Sequence, residues 1–343
     1  MTRRVTPTGG LTASGYLSAL VTGLLGTTVL AHDVAPHDWS APGALSAWDL
    51  AALCLVVTSG VLYWRGSRRL RQRGAMYRLR EQIAFAVGWT ALVAAILPPL
   101  DALAIQLFSI HMIQHELMML VGAPLIIAGR PLATCIWGLP EGWRPQAVGL
   151  LQHRQVGNTW RWASAPLVAW ALHGITIWIW HAPALYEAAI RIEGVHALQH
   201  AMFVTTASLF WWGLLGGRYG RAGYGAAVFY VFTTVVHTGL LGAIMTLAPL
   251  PLYAIYVGRA VARGVDPLTD QQLAGLLMWV PAGAVLTMVG LALFAAWLGE
   301  AERRERQSRR RREAVPSSVG RRSREWSNCI TKGAMGSTNE HAE

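Results

Sequence analysis

Seven stretches of the chain, at about 46–64, 81–99, 104–128, 165–181, 196–215, 225–248 and 272–298, are long, apolar and almost free of charge. This feature constrains the fold more than any other. About 18 to 20 such residues cross the hydrocarbon core of a bilayer as one helix. Inside lipid every backbone N–H and C=O must be satisfied within the protein, so spans are helices or closed barrels. The runs lack the short alternating pattern of barrel strands. The expected fold is therefore all-α, a polytopic membrane bundle of about seven transmembrane helices. Composition agrees: 53% of the residues are hydrophobic and 14% charged, against about 25% charged in soluble domains.

The net charge of +11 would fit a nucleic-acid partner, but its distribution argues for orientation instead. Lys and Arg concentrate in the cytoplasmic loops of membrane proteins. Here the N-terminus, the segments 65–80, 130–164 and 216–223, and the tail after Gly299 hold all but three of the 29. Only Arg191, Arg259 and Arg263 fall in the opposite loops. An apolar stretch at 15–30 follows Arg3 and Arg4 and ends Val29-Leu30-Ala31, as a signal peptide or signal anchor does. The expected organisation is a signal segment at 1–31, a membrane domain at 32–299 and a basic disordered cytoplasmic tail at 300–343. The mature N-terminus would lie outside a bacterial cytoplasmic (inner) membrane and the C-terminus inside, with the tail near anionic lipid. No folded nucleic-acid reader accompanies the tail.

Ionisable side chains within spans are rare and face the bundle interior or a cavity, which makes the histidines informative. The third span carries HMIQHE, with His111 and His115 four residues apart, and the fifth opens HALQH, with His196 and His200. Four-residue spacing puts each pair on one helical face. His181 ends the fourth span in IWIWHAP. The predicted topology gathers all five in the non-cytoplasmic half. Paired ligands on facing helices are how bundles build metal sites, and imidazole suits copper, zinc, iron or nickel. Thioethers nearby (Met112, Met118, Met119 and Met202) would favour Cu(I), although methionine in a span also serves plain packing. His173 and His237 stand alone and read as interhelical hydrogen-bonding groups.

Glu116 follows His115 directly, as a partner orienting an imidazole, a ligand or a protonated packed carboxyl. Asp270, in DPLTDQQLAGLLMWVPAG, is expected to cap its own helix. Trp178 with Trp180, and Trp211 with Trp212, read as interfacial anchors. Cleavage after Ala31 would expose His32 and His37 beside a free amino group, a Cu(II)-chelating set. Cys54, Cys135 and Cys329 have no CxxC spacing, so neither a disulfide framework nor a thiolate site is expected.

The stretches HMIQHELMMLVGAPLIIAGRP, IWHAPALYEAAI, HALQHAMFVTTASLFWWGLL and DQQLAGLLMWVPAG occur in order, each on its expected span. Through them the chain resembles the multi-pass cytochrome c oxidase assembly factor family called CtaG, over about residues 45–298. It does not look like the single-span copper protein sharing that name. The resemblance implies a seven-helix protein that helps mature a haem–copper oxidase. It also implies oxidase subunits as partners and copper as cargo, with a periplasmic copper donor upstream. His111, His115, His181, His196 and His200 are the positions carried over. Two other classes use similar residues: a b-type haem redox protein with paired axial histidines, and a metal permease with ligands at the midplane. A purely structural scaffold for oxidase subunits is a further class. No nucleophile–base pair, phosphate-binding glycine loop or paired-carboxylate site is recognisable, so no enzymatic activity is expected.

Overall fold

The structure is a computed structural model, and it describes residues 47–74, 79–215 and 223–314. The signal segment at 1–31, His32 and His37, and the tail beyond Ala314 lie outside those residues. The chain divides into two compact units, one ending at Gly290 and one starting at Leu291. Among the described residues every regular element is helical, as expected of a chain that must satisfy its backbone within lipid.

The order is α1 (Ala47–Gln72), α2 (Leu79–Ile96), α3 (Leu100–Ala104), α4 (Phe108–Glu116), a π-helical turn (Leu117–Gly122) and α5 (Ala123–Ala128). Then come α6 (Pro131–Gly138), α7 (Arg144–Gln152), α8 (Arg154–Ala163), α9 (Pro166–Trp180), α10 (Pro183–Arg191) and α11 (Glu193–Leu215). The chain continues through α12 (Gly223–Leu247), α13 (Ala254–Ala262) and α14 (Pro267–Ala314).

Five of these stretches are long and apolar enough to cross a membrane: within α1, α2, Phe108–Ala128, within α12 and within α14. A sixth arises if α8 and α9, bent by 70° at their junction, form one broken span. Length and composition thus mark five or six spans among the described residues, against the expected seven. The fourth expected span is a 15-residue helix, α9, or about 23 Å of helix. The fifth, α11, has 23 residues, but His196, Gln199 and Thr206 put polar groups on its buried face.

Two expected loops are ordered as helix. α1 continues through Arg65, Arg68, Arg69 and Arg71. The Arg69 guanidinium donates to the carbonyls of Trp137 (3.0 Å) and Leu139 (2.6 Å), satisfying the unpaired end of α6. Residues 131–163 fold as three short helices, each opening at or beside a proline or a chain bend. The described start of the basic tail is helical, since α14 runs on to Ala314. Glu300 pairs with Arg303 and Arg304, and Glu302 with Arg306. These are the three- and four-residue spacings that support an exposed helix.

Two of the expected interfacial tryptophans turn inward. Trp180 and Trp211 are buried. Each finds an internal acceptor for its indole N–H: Met202 Sδ at 3.3 Å for Trp180, and the Met119 carbonyl at 2.9 Å for Trp211. A satisfied N–H removes the reason for an indole to seek the wet interface.

Candidate metal centre

The site is built from the start of α4. Leu107 precedes that helix in extended conformation and supplies no side-chain cap. The cap comes from α14 instead. Asp270 accepts from the Phe108 N–H (2.7 Å), the Ser109 N–H (3.2 Å) and the Ser109 hydroxyl (2.5 Å). Asp270 therefore caps a distant helix rather than its own, correcting the expectation. Asp266 does the local work, accepting from the N–H and hydroxyl of Thr269. A carboxylate at a helix N-terminus satisfies orphan donors and opposes the helix dipole.

With its first turn held there, α4 presents His111 and His115 on one face, with ring centroids 4.3 Å apart. α11 brings up His196 and His200, 4.1 Å apart. The pairs interlock: His111 lies 5.2 Å from His196, and His115 lies 5.3 Å from His200, both edge to face. One ring nitrogen from each of His111, His115 and His200 lies within 4.8 Å of the other two. His181, just past α9, stands at the edge. It shares Tyr186 with His111 and Phe203 with His115.

Neighbouring groups decide where two of the protons sit. Tyr256 Oη donates to the Ala104 carbonyl at 2.9 Å. It can then only accept at His111 Nδ1, 2.8 Å away. His111 therefore carries its proton on Nδ1 and leaves Nε2 bare. His181 Nδ1 faces the Ile177 carbonyl at 2.7 Å, an acceptor only, so its Nε2 is bare as well. Neither Nε2 has a hydrogen-bond partner, nor do both nitrogens of His115 or Nε2 of His200. Buried polar atoms are ordinarily paired, so several unpaired imidazole nitrogens in one place form a pre-arranged electron-pair donor set. Holding Nδ1–H while offering Nε2 is the arrangement that metal-binding histidines receive from their surroundings.

Phe108, Tyr186, Phe203 and Tyr253 form an apolar jacket, and Tyr253 Oη donates to the His181 carbonyl at 2.8 Å. A mostly apolar cavity of about 160 Å³ reaches His196 and His200, with Trp48, Leu55, Asp101 and Glu193 among its walls. The aromatic rings thus pack on His111, His115 and His181, while His196 and His200 border a cavity that also holds two carboxyl groups.

The other expected residues are placed elsewhere. Met202 Sδ accepts the Trp180 indole, and Met118 packs with Leu92 and Ala95. Met112 is buried beside His111 in sequence. Glu116 and Met119 line a separate cavity with His173. Reading the sequence missed Tyr256, Tyr186 and the trans role of Asp270. The motif PLYAIY sets Tyr253 and Tyr256 three residues apart on one face, but their targets lie across the fold.

A family described as cytochrome c oxidase caa3 assembly factor matches residues 61–300, which contain all five clustered histidines. Uncharacterised proteins of Mycobacterium bovis and Mycobacterium tuberculosis are each 26% identical over 273 residues, covering 74% of this chain and 40% of theirs. A third, of Mycobacterium leprae, is 22% identical over 253 residues, covering 70% of this chain and 38% of its own length. The chain therefore spans about two-fifths of the length of these curated relatives. No solved structure matches.

Proposed function

Given that the chain belongs to the cytochrome c oxidase caa3 assembly factor family, we propose that it holds Cu(I) at His111, His115, His196 and His200, and passes it toward a maturing haem–copper oxidase. The single observation carrying this reading is the convergence of ring nitrogens from His111, His115 and His200 within 4.8 Å. Held protons on His111 and His181 support it, because they leave lone pairs available as ligands. Labile Cu(I) needs few ligands and a route for exchange, and the cavity at His196 and His200 supplies that route. Asp101 and Glu193 there would draw a cation inward.

The arginine distribution supports a reading in which this end of the bundle faces outward from the bacterial cytoplasmic membrane and the C-terminus lies inside. A periplasmic donor would load the site, oxidase subunits would receive the ion, and the protein itself would work as a copper chaperone without turnover chemistry. Haem is disfavoured, since rings only 4.1–5.3 Å apart centre to centre leave no slot for a flat macrocycle between them. A permease is disfavoured too, because the clustered ligands lie toward one end of the helices rather than midway.

The deciding measurement is copper and haem content of purified protein, wild type beside a His111→Ala/His115→Ala double variant. The variant should stay in the membrane, lose the copper bound by the cluster and lower oxidase activity. Unchanged copper content with unchanged oxidase assembly rejects the proposal. A Soret band in the wild type would favour haem instead.

Tyr256→Phe is a subtler check. It leaves His111 Nδ1–H without its acceptor and its tautomer free. Cu(I) affinity should fall about 10- to 100-fold, the usual effect of losing such a partner, while stoichiometry is kept. Competition against a Cu(I) chelator measures it. An unaltered affinity would mean that His111 Nε2 is not a ligand.

A further inference from the structure

A second, mostly apolar cavity, of about 50 Å³, has Glu116, Met119, His173, Trp211, Thr234 and Thr238 in its wall. Two helices agree on its depth. Glu116 lies eight residues beyond Phe108, and Met278, also on the wall, eight beyond Asp270. At 1.5 Å per residue, both intervals set the cavity about 12 Å further into the bundle than the Asp270–Phe108 contact. Glu116 ends α4 just before the π turn, so Glu116, Met119 and Leu120 share this wall while His115 faces His200.

The donors on this wall are already committed. Thr234 Oγ1 donates to the Tyr230 carbonyl and Thr238 Oγ1 to the Thr234 carbonyl, both at 2.8 Å. The Trp211 indole donates to the Met119 carbonyl. Thr206 Oγ1 donates to the Met202 carbonyl at 2.8 Å, so it accepts from His173 Nδ1 at 3.2 Å. That leaves His173 Nε2 without a proton. Glu116 makes no hydrogen bond among the described residues. What the wall retains is a set of lone pairs: the Glu116 carboxyl group, an imidazole nitrogen, two hydroxyl oxygens and the thioethers of Met119 and Met278.

A buried group of acceptors within an otherwise apolar wall calls for a positive or donating occupant. If the Glu116 carboxyl gives up its proton to solvent as a cation enters, it balances one positive charge, whereas a divalent ion would leave net charge in a low-dielectric interior, which is costly. Imidazole combined with thioether selects Cu(I) among monovalent ions. We infer that this cavity is a second Cu(I) site, formed by Glu116, His173 and Met119 and distinct from the histidine cluster. It goes beyond the function proposed above and does not require the cluster to bind.

Full-length protein purified in detergent is titrated anaerobically with Cu(I) against a chelator, and the bound metal is followed by X-ray absorption. Wild type should take up two equivalents, with a sulfur neighbour in the spectrum. Glu116→Gln/His173→Gln should lose one equivalent, and the volume-conserving Met119→Leu/Met278→Leu, which removes both thioethers of the wall, should lose the sulfur signal even where the other double variant folds poorly. His111→Ala/His115→Ala should keep the Glu116-dependent equivalent and its sulfur. An unchanged two equivalents in Glu116→Gln/His173→Gln, or an unchanged sulfur signal in Met119→Leu/Met278→Leu, overturns the inference. A single wild-type equivalent that depends only on His111 and His115 leaves the cavity as a water site. That overturns this inference and spares the cluster, whereas a single equivalent that depends only on Glu116 and His173 does the reverse.

Discussion

Gly66→Ala is expected to separate α6 from α1 and to remove most of the folded protein from the membrane. A β-carbon at Gly66 would lie 1.8 Å from the Thr134 carbonyl oxygen, and one at Gly138 would lie 2.0 Å from the Leu62 carbonyl oxygen. The two glycines let the helix backbones touch reciprocally, as small residues do where membrane helices pack closely. Overpacking against side chains costs about 1–3 kcal/mol. Here the obstacle is backbone on both faces, which cannot rotate away, so the cost should reach or exceed the top of that range. Thermal unfolding in detergent and membrane abundance measure it. Gly138→Ala should act alike, and the pair should be markedly non-additive because both break one contact. Gly149→Ala is the control. Nothing lies within 4 Å of its added carbon, and an exposed helical Gly→Ala change gains about 0.5–1 kcal/mol. A Gly66→Ala protein as stable as wild type would mean the α1–α6 approach is looser than described.

Asp270→Ala is expected to unravel the first turn of α4 and, with it, the placement of His111. Three hydrogen bonds to a buried carboxylate disappear, and two backbone N–H groups are left without a partner. Hydrogen bonds to charged groups contribute about 1.5–3 kcal/mol each, and an orphaned buried donor adds its own desolvation cost. Even after relaxation the loss should exceed 2 kcal/mol, well above an ordinary cap. Asp270→Asn is the informative companion, since it keeps an acceptor but loses the charge. It should be intermediate in thermal stability and in cluster copper affinity. If Asp270→Ala retains wild-type copper affinity, the cap does not position the cluster.

The helical class and the pairing of histidines were legible because both rest on local spacing. A four-residue interval on α4 or α11 sets two rings on one face whatever the rest of the chain does. Span limits were legible to within a few residues where apolar runs ended in charge. They failed where Arg65–Arg71 and Glu300–Arg306 extend helices past their apolar part, because arginine and glutamate are good helix formers and continue what lipid began. Length and apolarity by themselves do not mark α9 alone or α11, the fourth and fifth expected spans, for a related reason. Helices lining a polar site need not be apolar all round, and one can be shortened by a bend. What stayed hidden was everything that acts across the fold. Glu116 sits beside His115 in sequence but a hundred degrees round the helix, on another cavity wall. Asp270 has a plausible local partner in its own helix, and only the packing gives it a remote one. Tyr256 fixes a proton on a ring 145 positions away, which no window along the chain can register.

The Asp270 contact also joins positions 162 and 161 residues apart. During synthesis the chain emerges from its N-terminus, so α4 and α11 are complete while Asp270 has yet to be made. Until α13 arrives, His111 lacks the tyrosine that accepts its proton, and until α14 follows, the start of α4 lacks its anchor. On the function proposed above, nascent or truncated chains would then be unable to hold the ion, and loading would wait for α14. The order of translation would thereby act as a quality check on which molecules carry cargo.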